Sequence, residues 1–110
     1  MLFEEERIKT HYVDIVNNQT IDEMMIDFGV DYYDIIVEDS WHQFEAPVNF
    51  FSRAFSKLEQ HNGLYIIEDL NENDCNKWFE MIQQSNTYLA SLVRTRGYFD
   101  KSTMAIFRKV

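Results

Sequence analysis

Acidic residues recur where the chain leaves its apolar runs. Asp14 follows Ile8–Val13, Glu38 and Asp39 follow Tyr33–Val37, and Glu68 and Asp69 follow Leu64–Ile67. Carboxylates brought together repel unless something positive neutralises them. A hard divalent cation that prefers oxygen ligands, such as Mg²⁺ or Ca²⁺, does so economically. His42 stands three residues past Asp39. An imidazole titrates near neutrality, so His42 is a candidate general base beside a metal that activates a substrate hydroxyl. Plainer readings fit the same residues: an acid after a strand is often a helix N-cap or a solvated loop residue, and a lone loop histidine is often surface. Spacing alone leaves both readings open. His11 and His61 carry no signal of their own.

The elements that must position these groups read as follows. Ile8–Val13 is a short β-rich run, followed by the polar turn Asn17-Asn18-Gln19. Thr20 and Glu23 have capping-box spacing ahead of a helix over Ile21–Phe28, which Gly29 ends. Tyr33–Val37 is unbroken in its apolarity from Ile35 on, the pattern of a strand covered on both faces. Val48, Phe51, Phe55 and Leu58 recur at helical spacing within Phe44–Gln60, provided Pro47 lies in the first turn. After Asn62-Gly63, Leu64–Ile67 is another apolar strand. A helix over Asp74–Gln84 places Cys75, Trp78, Phe79 and Ile82 on one face. Tyr88–Arg94 and Thr103–Arg108 close the chain as an antiparallel pair around a loop with Gly97. The alternation predicts an α/β fold: a mostly parallel sheet, helices outside, and a C-terminal antiparallel pair. Parallel strands would bring their acidic carboxyl ends to one edge, where ligands of such sheets bind.

Composition narrows the function classes. The 110 residues are 45% hydrophobic with nine Phe, six Tyr and two Trp, enough for one domain spanning 1–110. Ten basic residues against nineteen acidic ones give a net charge of −9. Such a surface repels nucleic acid and anionic membranes. The single cysteine excludes an internal disulfide, and no Cys/His spacing points to zinc. Neither a signal-peptide pattern nor an apolar run of about 20 residues occurs, so the expectation is a soluble cytoplasmic protein.

Two stretches taken together carry a family resemblance. Tyr33-Asp34-Ile35-Ile36-Val37-Glu38-Asp39-Ser40-Trp41-His42, a helix, and then Gly63-Leu64-Tyr65-Ile66-Ile67-Glu68-Asp69-Leu70 resemble one group of class I S-adenosylmethionine-dependent methyltransferases. That group comprises the macrocin O-methyltransferase-like and cephalosporin-hydroxylase-like proteins, whose pattern runs D-I-I-I-D-D-G-S-H, helix, G-G-x-Y-V-I-E-D. The resemblance implies a partial Rossmann-like sheet with Asp39, Glu68 and Asp69 as Mg²⁺ ligands and His42 as base. Asp14 falls near the cofactor's adenine. The reaction implied is methyl transfer from S-adenosylmethionine to a hydroxyl of a small-molecule acceptor: a sugar, glycan or polyketide.

Two departures qualify it. Ser40-Trp41 replaces the family's Gly-Ser. The glycine-rich cofactor loop and the strand after it have no counterpart, since the chain has no G-x-G. The chain thus looks like the C-terminal half of such an enzyme, inactive alone. Two missing strands would leave exposed edges, to be closed by pairing of the first two strands, by a homodimer, or by a complementing N-terminal half. A non-enzymatic interaction module is the alternative.

Overall fold

A computed structural model of the chain describes residues 5–40, 44–82, 88–94 and 103–109. Helix α1 spans Asn18–Phe28. Strand β1 (Ile35–Glu38) leads through α2 (Glu45–Ala54) and a 3₁₀ turn (Phe55–Lys57) to β2 (Leu64–Leu70). Helix α3 (Glu72–Ile82) and the strands β3 (Tyr88–Arg94) and β4 (Thr103–Lys109) complete the order. Among the described residues no helix is long and apolar enough to cross a membrane.

The fold is α/β, and the sheet is mixed. Its order is β1-β2-β4-β3. Only β1 and β2 run parallel, with Ile35 opposite Leu64 and Glu38 opposite Ile67. The pairs β2–β4 and β4–β3 are antiparallel. The expected parallel majority is absent because the first expected strand does not form. Across Ile8–Val13 the backbone makes only an isolated antiparallel bridge between Ile8 and Glu5. Strand propensity holds a strand only where a neighbouring edge accepts its backbone groups. Here the segment leads into α1 instead, with Ile8 and Tyr12 exposed.

Helix α1 begins earlier than the Thr20–Glu23 spacing suggests. Asn17 is the N-cap, accepting the Gln19 N–H at 3.1 Å. Thr20 Oγ accepts the Asp14 N–H at 2.9 Å, and Glu23 takes the Gln19 side-chain amide. Gly29, at φ 63°, closes the helix as expected, its N–H reaching the Met25 carbonyl. Pro47 sits in the first turn of α2, where its missing N–H removes no helix bond.

Helices α2 and α3 cover one face of the sheet. Phe51 of α2 is the hub, its ring centroid 4.9 Å from both Tyr65 and Phe107 and 5.6 Å from Trp78 of α3. Tyr65, Ile67, Ala105 and Phe107 alternate along β2 and β4 onto that face and are buried. The other face is the more open one: among the described residues Ile35, Val37, Leu89 and Val93 are exposed there, and Leu64, Ile66, Met104 and Ile106 are half-buried. Ile35 and Val37 are 58% and 53% exposed, so β1 is covered on one side only, contrary to its unbroken apolar pattern. Phe79 is likewise exposed, while Cys75 and Trp78 are buried.

Candidate functional site

The shared end of β1 and β2 is where the acidic residues lie. Glu38 ends β1 on the covered face and is 5% exposed. Its carboxylate accepts hydrogen bonds from the Ser40 backbone N–H, at 2.9 Å, and from the Ser40 hydroxyl. The Tyr65 hydroxyl is buried and has no hydrogen-bond partner among the described residues. Burial first, and then the Glu38 charge, push that phenol far above its ordinary titration range.

On β2 the acids fall inside the strand rather than after it. The register with β4 slips between Ile67 and Leu70, so β2 carries one extra residue there. Asp69 adopts φ 56°, a left-handed conformation that suits such a bulge. Glu68 continues the Leu64, Ile66 alternation on the open face and is half-buried. Immediately beyond, Asn71 and Asp74 cap α3 reciprocally: the Asp74 N–H donates to Asn71 Oδ1 at 2.8 Å and the Asn71 amide to Asp74 Oδ2 at 3.0 Å. Burial pushes the adjacent Cys75 thiol up, partly offset by the Thr103 hydroxyl. A buried thiol held protonated is a packing residue, not a nucleophile.

The residues singled out from sequence are thus placed as follows. Asp39 is exposed just after β1, Glu68 is half-buried on the open face, and Asp69 is exposed at the bulge. Among the described residues no group of three or more His, Cys, Asp or Glu is gathered closely enough to hold a metal ion. His42, with its neighbour Trp41, lies outside the described residues. Asp14 shapes the turn ahead of α1: its Oδ1 accepts the Val16 N–H at 3.1 Å and its carbonyl the Asn17 N–H at 2.8 Å.

Sequence reasoning did not anticipate the open sheet face. Ile35 and Val37 of β1, Leu64 and Ile66 of β2, Met104 and Ile106 of β4, and Leu89 and Val93 of β3 share it through the strand registers. Among the described residues its charged members are Glu68 at one end and Arg108, opposite Leu64, at the other. A contiguous patch of this kind is as large as the biggest that a monomer ordinarily carries, and such patches often mark interaction sites. Period-two alternation in β4 is the signal that bears on it, but alternation says nothing of which face is covered.

The outer edge of β1 is open too. The Leu64 N–H donates to the Asp34 carbonyl at 3.0 Å. In a parallel ladder this turns the backbone groups of residues 34, 36 and 38 toward β2 and those of Ile35 and Val37 outward. Beside this edge lies an apolar groove of about 200 Å³ formed by Met24, Met25, Phe28, Tyr33 and Phe50 together with Ile35 and Ile36. No protein-family model matches the sequence, and no curated protein is significantly similar to it.

Proposed function

We propose that the chain is a non-catalytic interaction module of methyltransferase-like descent that binds a protein partner through the uncovered side of its sheet. The observation that carries this reading is the exposure of Ile35 and Val37, 58% and 53%, on one face of an edge strand. Burying apolar surface is the dominant favourable term in association, and this face offers it in one contiguous, nearly uncharged patch. The family resemblance supports the descent. So does the sheet itself, in which a parallel pair is closed by an antiparallel one, with the open edge of β1 on the side where the resemblance leaves two strands unaccounted for.

A second reading is favoured by the position of Glu38, Asp39, Glu68 and Asp69 near one end of the parallel pair. In it the chain is one part of an O-methyltransferase, with S-adenosylmethionine and Mg²⁺ as cofactors and a second polypeptide completing the site. Asp39, Glu68 and Asp69 would be the ligands and His42 the base. The described carboxylates do not gather as a metal site and the sequence has no glycine-rich loop, so no catalytic step is derived.

Calorimetry separates the readings. The interaction module takes up no S-adenosylmethionine, with or without Mg²⁺; binding of the cofactor by this chain would contradict it. The split-enzyme reading requires Mg²⁺ binding that Asp69→Asn abolishes.

A further inference from the structure

We infer that the occupant of the open face is a second copy of this chain, packed face to face about a two-fold axis that crosses the strands. The inference rests on the interaction-module reading and adds the identity of the partner. Charge complementarity points to it. An axis lying in the interface and perpendicular to the strands turns the second copy end for end while keeping each strand over its own counterpart. Arg108 of β4, at the Leu64 end of the face, then comes over the other copy's Met104, one strand aside from its Glu68 on β2 and within reach of two long side chains, and the reverse approach follows by symmetry. The same operation sets Leu89 over the second copy's Val93, and Val37, level with Ile66 at the centre of the face, over its own counterpart. The strongly acidic remainder of the chain, net −9, lies outside this formally neutral patch.

Size decides how tight the contact is, and favours the face over the edge. Strands about 4.8 Å apart, three of seven residues and one of four, rising about 3.3 Å per residue, give a footprint of about 400 Å² per copy. That is the range of weak, concentration-dependent association rather than of an obligate dimer. The β1 edge by itself turns outward the backbone of only Ile35 and Val37, too few groups to hold two chains. Two sheets packed this way stand about 10 Å apart, a gap that Arg and Glu side chains span together.

Sedimentation velocity from 10 to 500 μM tests it, with circular dichroism as the check on folding. The expected result is an average mass that rises with concentration toward that of two chains. Val37→Glu, a change at an exposed position, should hold the mass at one chain. Arg108→Glu and Glu68→Arg should each weaken association about tenfold, and the two together should restore it. A chain that stays single throughout would overturn the inference. So would association indifferent to Val37→Glu, or charge reversals whose effects simply add. None of these results bears on cofactor uptake, which tests the underlying reading separately.

Discussion

Glu38 and Glu68, near the same end of two neighbouring parallel strands, project from opposite faces of the sheet. Glu38 pairs in register with Ile67 and shares its covered face, while Glu68 is the next residue and turns outward. A period of two makes this unavoidable: acids one register step apart cannot share a face. Their separation makes Glu38 a buried acceptor for Ser40 and leaves Glu68 as the charged end of an otherwise apolar surface.

The buried phenol beside Glu38 gives the first prediction. Tyr65 Oη has lost its water without gaining a partner, a costly arrangement. Tyr65→Phe removes the orphaned hydroxyl and keeps the ring against Phe51. Urea denaturation should show stability unchanged or raised by about 1 kcal/mol; a loss of more than that would mean the hydroxyl is satisfied.

Alkaline stability follows from the same group. The folded Tyr65 phenol titrates above its usual value of 10.0, so above that pH the unfolded chain releases a proton that the folded chain keeps. Its contribution is fully present below about pH 10 and falls by about 1.4 kcal/mol per pH unit beyond it. Tyr33, raised by burial as well, adds in the same direction. Denaturation midpoints between pH 9 and 11.5 should fall more steeply in the native chain than in Tyr65→Phe.

Gly63 is fixed by space rather than by φ. A β-carbon there would lie 2.5 Å from the Glu59 carbonyl oxygen and 2.9 Å from its nitrogen, both backbone atoms that cannot step aside. Gly63→Ala should therefore cost about 1–3 kcal/mol by equilibrium unfolding. It should also loosen the start of β2, where the Gly63 carbonyl accepts the Lys109 N–H at 3.1 Å.

Phe51 tests the covered side. Its ring touches Tyr65, Phe107, Trp78, Phe55 and Tyr88, so truncation opens the centre of the core. Phe51→Ala should cost about 3–5 kcal/mol, a large share of what a domain this size possesses, and lower the melting midpoint by well over ten degrees.

Much of this architecture is legible in the sequence. Tyr88–Arg94 forms the strand expected of it, Thr103–Arg108 gains only Lys109, and the Val48, Phe51, Phe55 periodicity marks α2 and the 3₁₀ turn after it. What misleads is tertiary. Ile8–Val13 has the composition of a strand, yet it leads into α1 and leaves the open edge of β1 unpaired, an outcome that depends on the rest of the fold. The Ile35–Val37 run reads as doubly covered because apolarity reports a preference for burial, not the presence of something to bury against. Asp14 has the residue type of a ligand, yet its backbone and side chain are spent on a turn. The bulge at Glu68-Asp69 is set by pairing with β4, thirty-odd residues away, and leaves no local mark.

The uncovered face is best tested by isotope-filtered NMR on a half-labelled mixture of chains at about 500 μM. Methyl cross-peaks between Leu89 of one copy and Val93 of the other are the predicted result. Cross-peaks confined to single chains, or running only between β1 edge amides, would contradict the account.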